Sequence, residues 1–93
     1  MNLLVSVIVP TYNSGRTLEE CLTALRNQYY KGIEIIITDS FSKDKTKEIA
    51  RRFTDKIIDA ESLALARKMG VEASKGKYIL FLDSDQIIEP DTI

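Results

Sequence analysis

Four short apolar runs rich in β-branched residues recur along this chain, and the stretches between them follow a different period. The runs are residues 4–9, 33–38, 56–58 and 78–82. Near-continuous apolar strands that alternate with helical segments mark a parallel sheet, because parallel neighbours need a crossover long enough to hold a helix. In 17–28, Leu18, Cys21, Leu22 and Leu25 repeat at helical spacing, and Thr17 with Glu20 has the spacing of a capping box. In 42–53 the apolar face is Ile49, Ala50 and Phe53, with Ser42 or Asp44 as the cap. In 61–76 the face is Leu63, Ala66, Met69, Gly70 and Ala73, with Ser62 as cap and Gly76 as stop. Gly70 on that inner face predicts a close approach of helix to sheet, and Pro10 marks the exit from the first strand. The order β-α-β-α-β-α-β contains no repeat, linker or low-complexity tract. It predicts an α/β, Rossmann-like three-layer sandwich with right-handed crossovers.

Composition narrows the chemistry. At 93 residues there is room for one small domain and a modest core. Hydrophobic residues are 44% and charged residues 29%, a globular rather than a disordered balance. A formal net charge of -1, with lysines and arginines spread along the chain, argues against a nucleic-acid binder that depends on a basic patch. The chain has one cysteine, Cys21, and no histidine. An internal disulfide, a histidine general base and a histidine or thiolate metal cage are therefore excluded, and any metal site must use oxygen ligands. The opening MNLLVSVIVPTYN has no basic leader, and its apolar run is interrupted by Ser6 and ended by Pro10. It is too short to span a bilayer and does not read as a signal peptide. The expectation is a cytoplasmic location, with membrane association of an intact, longer protein left open.

Parallel α/β sheets bind ligands beyond the carboxyl ends of their strands, where the strand order reverses. Polar residues collect at three such ends here. Thr11, Tyr12 and Asn13 follow the first strand, Asp39 ends the second, and Asp83, Ser84 and Asp85 follow the fourth. The paired carboxylates after an apolar run either cap a turn or hold positive charge.

Taken together, VSVIVPTYN (5–13), EIIITDSFSKDKT (34–46) and ALARKMGVEASKGKYILFLDSD (64–85) resemble the N-terminal half of a family-2 glycosyltransferase with the GT-A fold. The resemblance covers nearly the whole chain. It implies the strand order 3-2-1-4, a nucleoside-diphosphate sugar as ligand, a divalent metal, Mn2+ or Mg2+, and transfer of the sugar to an acceptor, mostly with inversion. It assigns Pro10, Thr11, Tyr12 and Asn13 to the nucleotide-sugar site, with the Tyr12 ring either stacked on the base or covering the sheet edge. It adds Asp39 near the nucleoside, Arg67 near a phosphate, and Asp83 and Ser84. The metal falls to Asp83 and Asp85, with Asp85 the direct ligand and Asp83 on ribose or on a metal-bound water. Two positions depart from the family pattern. Ser40 stands where an Asp is usual and would read a base edge more weakly, and Lys68 stands where an Asn is usual.

The same resemblance implies that residues 1–93 are the truncated, nucleotide-sugar-binding part of a larger domain. The acceptor site and the general base would then lie outside the chain, which by itself would not transfer sugar. It also predicts self-association of the 93-residue chain through the fourth strand or the Ile87–Ile88 segment. The competing reading is a non-catalytic Rossmann-like nucleotide-binding or structural module. A Gly-rich dinucleotide turn is absent, and PTYNSG is not the phosphate loop of a sugar nucleotidyltransferase.

Overall fold

The structure is a computed structural model that describes residues 3–93. Its elements are β1 (Val5–Thr11), α1 (Leu18–Arg26), β2 (Ile33–Asp39), α2 (Thr46–Arg51), β3 (Ile57–Asp59), α3 (Leu63–Ala73) and β4 (Tyr78–Phe81). The four strands form one sheet in the order β3-β2-β1-β4, and every pairing is parallel, as the alternating pattern predicts. Among the described residues no helix is long and apolar enough to cross a membrane.

The first strand continues past the proline expected to end it. The Ile8 carbonyl accepts from Leu82 N on the β4 side, and Pro10, two residues on, turns its backbone the same way. Pairing with β4 stops at Ile8, so Pro10 has no ladder bond to lose there, while Pro10 and Thr11 stay in register with Thr38 and Asp39 of β2.

Alternation along the strands sorts side chains onto two faces. Val7, Val9 and Ile37 meet Leu18, Cys21, Leu22 and Leu25 of α1 and Ile49 and Ala50 of α2 in one buried cluster. The leucines of α1 are essentially without solvent contact, and each contributes about 2 kcal/mol by burial. The Thr17 side chain makes no capping bond; the Ser14 carbonyl instead accepts from Thr17 N and Leu18 N. At α2 the cap position is Lys45, but Asp44 just before it accepts from Thr46 N at 3.0 Å. Ser42 is drawn away to Asp39.

The opposite face carries α3. Ser62 caps it by accepting from Leu65 N, as expected. A Cβ on Gly70 would lie 2.6 Å from Ile8 Cγ2, so glycine is what allows this helix to sit against β1. Gly76 does not stop the helix, which ends at Ala73 with Ser74 already extended. Its requirement is also close approach: a Cβ there would stand 2.5 Å from Ser6 Oγ. β4 is the least covered strand. Tyr78, Ile79 and Phe81 are exposed, because α3 reaches over β1, β2 and β3 and leaves the outer strand partly bare. Leu82, just past the strand, is buried.

A polar node ties the sheet together at the edge where its strands begin. Glu34 Oε2 accepts from Ser6 Oγ at 2.5 Å and from Lys75 N at 2.7 Å, and Oε1 is paired with Lys56 Nζ. Ser6 Oγ in turn accepts from Gly76 N. Burial by itself would raise the Glu34 pKa; the Lys56 ammonium and the Ser6 and Lys75 donors outweigh it and hold the carboxyl at about 2, below its ordinary 4.5. A carboxylate depressed in the folded state stabilises fully above its unfolded pKa and ceases to as pH falls through the folded one. Urea denaturation should therefore show stability lost between pH 4.5 and about 2, by about 3 kcal/mol. Glu34→Gln should destabilise at pH 7 by a similar amount, with the difference from wild type shrinking as the pH is lowered; a constant difference would assign the loss to another group.

Candidate functional site

Parallel pairing brings the carboxyl ends of β1, β2 and β4 to one edge. The loops after β1 and β2 are laced into a single body there. Thr11 Oγ1 donates to Asp39 Oδ1 at 2.6 Å, and Ser40 N donates to the Thr11 carbonyl. Asp39 also accepts from Ser42 N at 2.8 Å and from Ser42 Oγ at 2.5 Å. Asn13 N donates to Ser42 Oγ, and Lys43 N donates to Asn13 Oδ1. Farther along, Ser14 N donates to Thr46 Oγ1 and Gly15 N to Asp44 Oδ2. Asp44, which also takes the Thr46 hydroxyl, is held below the ordinary carboxylate range chiefly by that bond.

This lacing engages, inside the protein, several residues that the resemblance assigns to the nucleotide-sugar site. Asp39 is fully buried, and both its oxygens are occupied by protein donors. Thr11 is nearly buried and spends its hydroxyl on Asp39. Asn13 takes a positive φ of 46° and uses its side chain on the neighbouring loop. These three build the edge. Tyr12, 67% exposed, is free to touch a ligand. The sequence reading did not single out Ser14, Ser42, Asp44 and Thr46 as members of this edge; the dense run of Ser, Thr and Asp over 38–46 was the available signal.

Beside the laced loops runs a crevice of about 460 Å³. Pro10, Thr11, Tyr12 and Ser40 line it on the strand side, and Glu61, Ser62 and Leu63 at the start of α3 line the other. Leu63 was expected in the core. It lies in the first turn, is 53% exposed, and serves as crevice wall. One turn along α3, the Arg67 guanidinium lies 5.9 Å from the centroid of the Phe81 ring, two residues before Asp83.

The acidic loop after β4 is a tied turn with loose carboxylates. Asp83 N donates to Gln86 Oε1 and Gln86 N to the Asp83 carbonyl. Ser84 Oγ is 2.8 Å from Ser14 Oγ, which binds this loop to the one after β1. The Asp83 and Asp85 residues are exposed, and among the described residues no hydrogen bond or ion pair reaches either carboxylate. Cys21 packs in the core beneath them with Sγ 3.7 Å from the Asp83 carbonyl. Burial, and then the charges of Asp85 and Asp83, push its thiol up to about 11. Among the described residues no group of three or more acidic or thiol ligands exists to cage a metal. Two exposed carboxylates on one short turn suit a hard cation that completes its shell with water and phosphate oxygens.

The sequence model described as "Glycosyl transferase family 2" matches residues 6–93. The chain is a member of glycosyl transferase family 2. Its sheet is a partial GT-A fold, Rossmann-like in strand order, as its structural neighbours are. Glycosyltransferase GlyG of Streptococcus pneumoniae is 38% identical over the whole of this chain, which covers 34% of that protein. The S. aureus TarS structure in complex with UDP-GlcNAc superposes with a TM-score of 0.86 at 30% identity, over 95% of this chain and 28% of that one. The mannosyltransferase PcManGT from Pyrobaculum calidifontis, solved with GDP-Man and Mn2+, gives a TM-score of 0.82 at 27% identity, over 91% of this chain and 28% of that one. This family-2 chain thus spans about a third of the length of the relatives it matches.

Because Asp39 works inside the protein, its removal should be felt without any ligand. Asp39→Ala leaves Ser42 N and two hydroxyls without their acceptor, one of them buried. It should destabilise the ligand-free chain by about 2–4 kcal/mol in urea denaturation. An unchanged midpoint would return Asp39 to the ligand contacts.

Proposed function

We propose that this chain is the donor-binding segment of a glycosyltransferase that holds a nucleoside-diphosphate sugar, together with Mn2+ or Mg2+, for transfer to an acceptor hydroxyl with inversion. The observation that carries this reading is the pair of carboxylates, Asp83 and Asp85, without a partner among the described residues and at the same sheet edge as the crevice. An acidic turn built only for structure would spend its carboxylates on nearby backbone amides, as Asp44 does with Thr46 N and Gly15 N. The bound donors in the TarS and PcManGT structures support it.

In this reading Tyr12 offers its ring to the base, while Pro10, Ser40 and Leu63 bound the nucleoside. Thr11, Asn13 and Asp39 keep that wall in place, and Ser84 fixes the acidic turn against Ser14. Asp85 would hold the metal directly and Asp83 would take ribose or a metal-bound water. A cation held there would stabilise the negative charge that builds on a departing diphosphate. Arg67, whose guanidinium lies over the Phe81 ring two residues before Asp83, would pair with the same phosphates. A general base must still take the acceptor proton, and no carboxylate of this chain is assigned that task. The chain by itself should bind donor without transferring the sugar.

Titration calorimetry tests the core of this. UDP should bind in the presence of Mn2+ and much more weakly with chelator, and Asp85→Ala should lower the Mn2+-dependent affinity at least about tenfold, with an unchanged melting temperature. Metal-independent binding would favour a plain nucleotide-binding module, and equal affinity in wild type and variant would remove Asp85 from the site.

The strand edge supports a second proposal about the chain in solution. The outer edge of β4 has no partner strand among the described residues, and Ile79 and Phe81 are 40% and 42% exposed. Unpaired edge strands template pairing with another chain, and a second copy related by a two-fold axis would extend the sheet antiparallel through β4. Sedimentation should show a dimer or larger species, and Ile79→Lys should shift it toward monomer. A wild-type monomer at high concentration would end the proposal.

A further inference from the structure

Very little holds the acidic turn after β4 to the rest of the chain. Leu82 N donates to the Ile8 carbonyl, the last bond on that side of the sheet. Beyond it, the two bonds between Asp83 and Gln86 lie within the turn itself. The Cys21 thiol, 3.7 Å from the Asp83 carbonyl, is a weak donor. Among the described residues, one hydrogen bond between nitrogen or oxygen atoms crosses from residues 83–86 to another part of the protein. It joins Ser84 Oγ to Ser14 Oγ at 2.8 Å.

Ser14 is itself firmly held. It is buried, its N donates to Thr46 Oγ1 at 2.8 Å, and its carbonyl accepts from Thr17 N and Leu18 N at the start of α1. Its hydroxyl also accepts from Tyr12 N at 3.2 Å. One fixed hydroxyl therefore meets both the loop after β1 and the turn after β4.

What the turn carries makes this tether matter. Asp83 and Asp85 are exposed, and like charges on one short turn repel. An untethered turn would relax toward conformations that separate them. A cation would then have to order the turn as it binds, and that ordering would weaken its affinity. A bond that holds ligating carboxylates in place acts on metal affinity without touching the metal.

We propose that Ser14 is a positioning residue for the metal-binding turn: through Ser84 it holds Asp83 and Asp85 ready for the cation. The proposal rests on the donor-binding reading above and deepens it by naming what presets the two carboxylates.

Calorimetry with UDP on the 93-residue chain, repeated over a series of Mn2+ concentrations well below the melting temperature, tests this. Ser14→Ala and Ser84→Ala should each raise the Mn2+ concentration needed for half-maximal UDP affinity about tenfold. At saturating Mn2+ both should return to within about threefold of wild type, because the excess cation orders the turn. The double variant should need no more than about twice the Mn2+ of the weaker single variant, since both changes remove one bond. Ser84→Ala leaves the buried Ser14 and its bond from Tyr12 in place, so it carries the test if Ser14→Ala does not fold. An unchanged Mn2+ requirement in Ser84→Ala would overturn the inference. A loss that persists at saturating Mn2+ would do the same, because it would make Ser84 a direct donor contact, and so would losses that multiply in the double variant. Wild-type protein without Mn2+-dependent UDP binding would instead overturn the donor-binding reading, and this inference with it.

Discussion

Parallel pairing of β1 with β2 on one side and β4 on the other is the constraint on which the rest depends. Val7, Ile8 and Val9 have no solvent contact, and both helical layers pack on this strand. Because all pairings are parallel, every strand ends on the same edge, and three loops meet without any further device. What remains for the sequence to specify is how those loops are held. It does so with short polar side chains that reach across to neighbouring backbone, a cheap solution where the backbone cannot be helical or paired.

Much of the architecture was readable because it rests on periodicity. The four apolar stripe residues of α1 are all buried, and the strand order follows from a repeating β-α unit and a family pattern. The errors came where a local signal competed with tertiary context. Pro10 reads as a terminator, yet it continues a strand whose neighbour has stopped. Gly76 reads as a helix stop, yet it clears space for Ser6. Thr17 and Glu20 have capping-box spacing, but the Ser14 carbonyl had already engaged the helix start.

At the candidate site the sequence showed which residues collect at the edge but not how they divide their work. Asp39 and Asp83 both follow apolar strands and look alike in one dimension. In the fold, Asp39 is sealed between Thr11 and Ser42, whereas Asp83 faces solvent with only its backbone engaged. That difference is set by partners distant in sequence, such as the Thr11–Asp39 bond. No spacing rule exposes it.

The Ser6–Glu34–Gly76 node carries a consequence for the opposite edge. A shift of one residue along β4 would turn each of its side chains to the other face, and would carry the acidic turn with it. Gly76 permits one alignment only, since its amide meets Ser6 Oγ where no side chain fits, and Lys77 N then engages the Leu4 carbonyl. The strand is thus clamped at its start and runs as a ruler of fixed length to Asp83 and Asp85. Precision at the carboxylates is gauged from a buried glutamate at the far end of the sheet, so a change there would misplace the acidic turn without touching any residue near it.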